Sequence, residues 1–326
     1  MQTKRSSGDH KWEEINCGNM HFGKYGHTGR NDSGMDPGEV NISEVSYVTP
    51  MEDRKVDIGW EYYNHAVIPM CGPHEKADVS RIYDGSVWKI DRRALFARWS
   101  DDFDCRQETN WWYVIKDTPF DISQLKSKRR YEIKKGARNF KIELIVPSEH
   151  IQELIEVQTG AYEGYPEELR PEIDEKSFIN KVMSWDGRCY AAFHEQGGMV
   201  GYAYLIEHDE WCDFSILRTL PDYEKLGVNA AIIYKVLMDY EDRLGNGFYI
   251  CDGARTISHK THFQDYLEKY FGFRKAYCRL RIAYRKWPGA AVRMLYPFRK
   301  HIRGKGRLAK NIKSVLNMEE IRRDCE

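Results

Sequence analysis

Between Asp186 and Arg285, three strand-like segments directly precede a loop and a helix. The segments RCYAAFHE, MVGYAYLIEH and WCDFSILR have strand-like apolar patterns, and a Gly-Gly turn joins the first two. A helix opens at Gly227-Val228-Asn229, and the next strand ends at Cys251-Asp252-Gly253. This order predicts that the helix N-terminus lies beside the end of a central strand, where its N–H groups favour phosphate binding.

The composition is that of a folded chain. Its 326 residues, 41% of them hydrophobic, correspond to roughly two domains. No apolar run is long enough to cross a bilayer, and the N-terminus (MQTKRSSGDHKWEE) lacks the apolar segment of a signal peptide. The eight cysteines stand singly, without a CxxC motif, so reduced thiols are favoured over a zinc site or disulfides. We expect a cytoplasmic protein without a metal, peripheral at the inner membrane face if it meets a membrane.

Four segments are expected along the chain. Residues 1–45 are rich in Gly, Asn and Ser and predict a poorly ordered extension. Residues 46–140 predict a small α/β domain that ends in a basic helix, and residues 141–285 a larger α/β domain. Residues 286–326 form a basic tail.

Within the smaller domain, Val87–Ile90 and Ala94–Trp99 predict a hairpin, and Trp111–Ile115 predicts a further strand. Asp121 is a candidate N-cap for the basic helix. That helix combines one acid, Glu132, with seven cations: Lys126, Lys128, Arg129, Arg130, Lys134, Lys135 and Arg138. The density of cations predicts either contact with an anion or a solvated face.

The chain has a net charge of zero, but its C-terminal segment is basic. Between Arg285 and Lys313 there are ten cationic residues and no acid. Aromatic and apolar residues such as Trp287 and Phe298 are interleaved with these cations. The pattern predicts contact with an anionic membrane surface or with tRNA. The alternative is a structural arm that lies across the first domain.

Candidate chemistry rests mainly on two acids. Asp213 lies in the third strand, and strict alternation would place it with Trp211 and Ser215, away from Cys212, Phe214 and Ile216. Asp252 ends a buried strand, where an acid is costly unless it is paired or functional. Both are candidate catalytic carboxylates. Glu207, Arg255 and His259 are candidate substrate contacts, and a solvent-facing or surface role is the alternative for each.

The element order from Lys141 is strand, helix, helix, three antiparallel strands, helix, strand, helix, strand. This order resembles the GNAT acyltransferase fold. The segments LKSKRRYEIKKGARNFKIEL and YICDGARTISHKTHFQDYLEKYFGF resemble the GNAT-like domain of Fem-type peptidoglycan aminoacyl transferases, and related proteins encoded with bacterial surface-polysaccharide genes. The resemblance implies an α/β fold with a mixed, mostly antiparallel central sheet flanked by helices, preceded by a smaller, partly β domain.

The resemblance also implies a site for acyl-CoA as co-substrate. In the family, the fourth and fifth strands splay apart and pair with the pantetheine arm, while the following loop holds the pyrophosphate. The family loop reads Gln/Arg-x-x-Gly-x-Gly/Ala, and here Glu224, Gly227 and Asn229 take these positions. The implied cofactor contacts are Leu217, Lys225, Leu226, Gly227, Val228 and Asn229. Tyr266 and Tyr270 flank the position of the family's proton-donating tyrosine, which is Glu268 here.

The expected function is therefore transfer of an acyl or aminoacyl group to an amine of a small-molecule or glycolipid precursor, in cell-envelope or polysaccharide synthesis. The loop departs from the family pattern at two positions, so acyl-CoA and aminoacyl-tRNA both remain candidate donors. The alternative is a catalytically inert GNAT-like module that binds nucleic acid or a membrane surface.

Overall fold

The computed structural model describes residues 59–163, 170, 173–257, 262–302, 304 and 306–326. The predicted extension 1–45 lies outside these residues. The strands are β1 (Trp60–Tyr63), β2 (Ala66–Pro69), β3 (Phe96–Asp101), β4 (Trp111–Lys116), β5 (Lys141–Ile145), β6 (Arg188–His194), β7 (Gly198–Glu207), β8 (Trp211–Thr219), β9 (Tyr249–Ala254) and β10 (Arg274–Tyr284).

The helices alternate with these strands. They are α1 (Ser80–Tyr83), α2 (Ser127–Asn139), α3 (Ile151–Gly160), α4 (Glu175–Met183), α5 (Pro221–Glu224), α6 (Val228–Asp239), α7 (His262–Phe271), α8 (Lys286–Leu295) and α9 (Arg307–Asp324). Among the residues described, no helix is both long and apolar enough to cross a bilayer.

The strands form one ten-stranded sheet in the order β1-β2-β3-β10-β4-β9-β8-β7-β6-β5. Neighbouring strands are antiparallel except for β2–β3 and β8–β9. The predicted fold class, a mixed and mostly antiparallel sheet flanked by helices, is confirmed, as is the GNAT-like order of elements from β5 onward. Because β10 pairs with both β3 and β4, the sheet continues across the predicted boundary at residue 140.

Helices cover both faces of the sheet, which explains why the central strands are buried on both sides. On one face, called the α6 face, Val236 of α6 packs with Ile133 of α2 and Phe271 of α7. On the other, called the α3 face, Leu154 of α3 packs with residues of β6, β7 and β8. Further along that same face, Met318 and other residues of α9 pack on β4 and β10. The C-terminal tail is thus a folded part of the core.

The predicted hairpin over Val87–Ile90 is wrong. Ser86–Lys89 forms a 3-10 turn, because Gly85 takes a left-handed conformation (φ 75°) and the Asp84 carboxylate accepts the Ser86 N–H. The candidate cap at Asp121 serves only a short 3-10 turn, and α2 begins later, at Ser127. In both places an aspartate carboxylate accepts a hydrogen bond from a nearby backbone N–H and stabilises a short turn. The sequence pattern predicts a longer strand or helix there.

Candidate functional site

The two parallel strands at the centre of the sheet separate after three residue pairs. Trp211–Tyr249, Cys212–Ile250 and Asp213–Cys251 are paired, after which β8 continues to Thr219 and β9 to Ala254. On its other edge β9 remains paired with β4. Beyond Asp213, β8 therefore has no neighbouring strand on this side among the described residues. An edge without a neighbouring strand is a place where a strand-like ligand can pair.

A β-bulge in β8 lies where the strands separate. Tyr204 pairs with Ile216 and Ile206 with Asp213, so β8 has two residues where β7 has one. The extra residue leaves the ladder and reverses the alternation of side chains beyond it. Ile216 consequently packs with Tyr204 on the α3 face. The predicted placement of Ile216 opposite Asp213 is wrong for this reason.

A second bulge lies across the gap in β9. Tyr113 pairs with Ala254 and Ile115 with Cys251, so Asp252 and Gly253 oppose a single residue of β4. Gly253 has a φ of 95°, a conformation that side chains disfavour. Both strands that border the gap are therefore distorted at the same level of the sheet, and bulges are enriched beside active sites.

Asp213 is the buried acid of the gap. Its side chain points to the α3 face, as Ile206 and Cys251 do in the adjoining strands, and it is only 2% exposed. Its Oδ2 atom has no hydrogen-bond partner within the described part of the chain, nor does the nearby Ser215 hydroxyl. Burial raises the pKa of Asp213 to about 8, although Ser215 acts in the opposite direction. A buried carboxyl with one unpartnered oxygen and a pKa near neutrality is suited to proton transfer.

The Asp252 side chain is hydrogen-bonded to Gln264 of α7, a helix of the α6 face, so it leaves β9 toward that face. Burial raises the pKa of Asp252 well above its usual value; Gln264 of α7 lowers it, and the charge of Asp213 adds to the rise. The two carboxyls therefore border the gap from opposite faces and influence each other's protonation. The structure brings these two predicted residues together.

Other predicted contacts have structural partners instead. Glu207, at the hairpin end of β7, pairs with Arg243 at 3.0 Å. The Arg255 guanidinium donates to the Asn110 carbonyl at 2.7 Å and lies over the Trp112 ring. His259 lies outside the described residues.

The predicted phosphate loop packs against α2. Gly227 (φ 93°) donates its N–H to the Glu224 carbonyl at 2.9 Å and lies against Gly136 of α2. Two side chains of α2 bind the loop carbonyls: Lys135 donates to Lys225, and Asn139 to Leu226, each at 3.0 Å. Of the other implied contacts, Val228 is fully buried, and Asn229 accepts from Thr219 at 3.0 Å. The side of this loop that faces α2 is thus occupied by protein.

The two candidate tyrosines lie where α7 meets α2. Arg129 donates to the Tyr270 hydroxyl at 2.5 Å and stacks over its ring. Tyr266 packs on Phe263 and Tyr270, and burial raises its pKa, with Glu132 acting in the same direction. Helix α2 therefore packs against α6 and also contacts α7 through Arg129 and Tyr270.

Arg218 is a polar group that the sequence analysis missed. It is a buried cation on the free edge of β8, where it donates to the Leu217 carbonyl at 2.8 Å and to the Tyr162 hydroxyl at 3.3 Å. The signal was present in the sequence, because an arginine inside the apolar strand WCDFSILR requires polar partners. The bulges, by contrast, left no signal except Gly253.

At the level of sequence, the chain matches no protein-family model and no curated protein. Among solved structures it is similar to L-PGS from Bacillus licheniformis, with 14% identity, a TM-score of 0.47, and coverage of 74% of this chain and 84% of that one. It is also similar to FemX, with 9% identity, a TM-score of 0.46 and coverage of 72% and 85%. A third is a tandem GNAT protein from the clavulanic acid biosynthesis pathway, with 9% identity, a TM-score of 0.38 and coverage of 67% and 75%. These similarities concern the fold alone.

Proposed function

We propose that the protein transfers an acyl or aminoacyl group from a carrier to an amine, and that the reaction takes place at the gap between β8 and β9. The observation that carries this proposal is the end of the β8–β9 ladder at Asp213–Cys251, beside a bulge and a buried carboxyl whose Oδ2 atom has no partner among the described residues. A strand edge can hold an extended carrier arm by backbone hydrogen bonds. A bulge exposes backbone N–H groups that can polarise the carbonyl to be attacked.

In the proposed reaction, the amine nitrogen attacks the carbonyl carbon of the donor. The new C–N bond forms as the C–S bond of a thioester, or the C–O bond of an aminoacyl ester, breaks. Asp213 in its ionised form accepts the proton that the amine loses; because its pKa is about 8, the share of that form and the transfer rate should increase as pH rises toward 8. Asp252, whose pKa is raised well above its usual value by burial, is proposed to return a proton to the leaving group. Tyr266 and Tyr270 remain candidates for that second role.

The donor's phosphates are proposed to meet α2. This helix exposes Lys128, Lys134 and Arg138, none of which has a carboxylate partner in the described part of the chain. Lys225 is exposed next to Lys135. These cations offer an anion site on the exposed side of α2. Acyl-CoA is the first donor to test, and aminoacyl-tRNA is the second because it carries the same phosphate chemistry. The acceptor is proposed to be an amine of an envelope or polysaccharide precursor.

The test combines binding and turnover. Acetyl-CoA, longer acyl-CoAs, free CoA and aminoacyl-tRNA are each added to the purified protein, and the melting temperature and acyl transfer to amino-sugar acceptors are measured. We expect one donor class to stabilise the protein. The Asp213→Asn variant should keep that stabilisation but lose about 10²- to 10⁴-fold in transfer rate.

The matched control is Glu143→Gln, which removes an exposed carboxylate on β5 and should leave the rate unchanged. Absence of stabilisation and of transfer with every donor would overturn the proposal and favour the inert binding module. Full activity of Asp213→Asn would remove Asp213 from the mechanism.

A further inference from the structure

Helix α8 and the turn that follows it (Tyr296–His301) expose a row of large apolar side chains. Trp287, Met294 and Phe298 are 85%, 69% and 60% exposed. Trp287 and Met294 are seven residues apart in α8 and so lie on one side of the helix, and Phe298 follows in the turn. A row of such side chains in water is unusual for a surface that has no partner.

A row of cations lies beside the apolar row. Lys286, Arg293 and Lys300 are all exposed; the first two are seven residues apart in α8, close to two helical turns, and Lys300 lies in the turn that follows. Within the described residues, none of the three pairs with a carboxylate, whereas the neighbouring Arg299 does pair with Glu320. The outward face therefore has an apolar strip with an uncompensated positive border.

The inward face of α8 already supplies the packing that the fold requires. Gly289 and Val292 are buried, and Gly289 lies against the Tyr284 side chain of β10. The outward residues make no comparable contribution to the core. The packing of α8 against the fold therefore does not explain why these outward side chains are apolar.

The apolar surface continues beyond α8. A groove of about 800 Å³ beside Trp287 is also lined by Tyr83, which is 86% exposed, and by Leu95. Asp84 is the one acid among the described residues that line it, against Arg92, Arg285 and Lys286. The surface is thus both apolar and positively charged over an area larger than one helix.

We propose that this face docks on a bilayer that carries anionic headgroups. In this arrangement α8 lies in the plane of the interface, Trp287, Met294 and Phe298 enter the headgroup–acyl boundary, and Lys286, Arg293 and Lys300 contact phosphate groups. Lipid is favoured over RNA because the Met294 and Phe298 side chains offer no strong hydrogen-bonding group, whereas the acyl chains of a lipid can bury their apolar surface. The inference is independent of the proposed transfer reaction.

Vesicle co-sedimentation tests the proposal with the full chain. Phosphatidylcholine vesicles, with and without phosphatidylglycerol, are mixed with the wild type and with two double variants. Binding should require phosphatidylglycerol and weaken as salt is added. Replacing two cations (Lys286→Gln with Arg293→Gln) should lower the partition coefficient roughly thirtyfold, at about 1 kcal/mol per cation. Replacing two apolar residues (Trp287→Ser with Phe298→Ser) should lower it at least about tenfold.

Met183→Ser and Lys76→Gln are matched controls, since both remove exposed residues elsewhere, and they should bind as the wild type does. Lack of wild-type binding, or equal binding by the double variants, would overturn the proposal. So would RNA binding that depends on the same residues in place of lipid binding. A dimer that dissociates on Trp287→Ser would assign the face to a second copy of the chain.

Discussion

Asp213 and Cys251 form the last pair of the ladder between β8 and β9, and both side chains point to the α3 face. Immediately beyond this pair each strand bulges, β8 after Asp213 and β9 after Cys251. The bulges and the strand separation occur at one level, so a single structural feature provides an open strand edge and a buried acid. This coincidence is what distinguishes the gap from an ordinary irregularity in a sheet.

The raised pKa of Asp213 predicts a pH dependence of stability. The native state holds the proton up to about pH 8, whereas the unfolded chain releases it near the ordinary value of 3.8. Between these values the native state binds more protons, so stability falls as pH rises, by up to about 1.4 kcal/mol per pH unit. Urea unfolding of the wild type and of Asp213→Asn across this range should show a shallower decline in the variant, which should be the more stable protein at pH 8.

Asn mimics the neutral carboxyl in size, so at about pH 4 the two proteins should differ little. Asp252 should contribute a decline of the same sign in both proteins, but a smaller one in Asp213→Asn, because the charge of Asp213 adds to the rise of the Asp252 pKa. Parallel stability curves for wild type and variant would show that Asp213 is already solvated in the native state.

The packing of Gly227 against Gly136 predicts that an added methyl group is costly. In Gly227→Ala, the new Cβ would lie 3.1 Å from the Gly136 Cα atom, and the residue would have to keep a φ of 93°. We expect a loss of about 2–4 kcal/mol in the free energy of unfolding, from backbone strain together with overpacking. Urea denaturation measures it.

Gly247→Ala separates these two costs. Gly247 has a similar φ of 87°, but its Cβ would meet nothing within 4 Å. It should therefore lose only about 1 kcal/mol, the cost of the backbone conformation. Equal losses in the two variants would mean that α2 can move away from the loop, and that the loop could then open to a ligand.

The order of elements from β5 onward was predictable because each strand and helix carries its own periodicity. The sheet order was not, because the insertion of β10 between β3 and β4 depends on contacts between residues far apart in sequence. The position of α2 shows the same limit. Its cations were evident in the sequence, but its packing against Gly227 depends on a glycine in each of two distant segments.

For the candidate site, the residue types in the sequence identified the acids, but the sequence did not predict the geometry of the strands that carry them. Asp213 and Asp252 could be identified because acids in apolar strands are costly. Strict alternation failed at Ile216, since a bulge changes the pairing without a characteristic residue in β8. The loop at Gly227 could be recognised as a turn before a helix, yet its contact with α2 could not be foreseen.

Glu319 is expected to stabilise the packing of the C-terminal helix α9 on the sheet. It is almost fully buried and accepts hydrogen bonds from Arg322 at 2.9 Å, Arg323 at 2.8 Å and the Tyr284 hydroxyl at 3.1 Å. Burial opposes its charge, but the bonds from the two arginines lower its pKa below the ordinary value. The stability it provides is present above the unfolded pKa and is lost as pH falls through the folded one.

Glu319→Gln should therefore cost about 1–3 kcal/mol at neutral pH and less in acid. The neighbouring variant Glu320→Gln breaks only the partly exposed pair with Arg299 and should cost under about 1 kcal/mol. Thermal unfolding at neutral and acidic pH distinguishes them. A similar cost for both would indicate that α9 is held by its apolar contacts alone.

His74 attaches the loop between β2 and α1 to the central sheet. Its Nδ1 atom is hydrogen-bonded to the Tyr249 hydroxyl at 2.6 Å, and its Nε2 atom to Glu210 at 3.0 Å. Tyr249→Phe removes the first of these bonds, and we expect a loss of about 1 kcal/mol and faster hydrogen exchange in the loop. Tyr62→Phe is the matched control, because the Tyr62 hydroxyl meets His65 at an exposed position. If both variants exchange at the wild-type rate, the loop is held by the apolar contacts of its flanking residues and not by the bond to Tyr249.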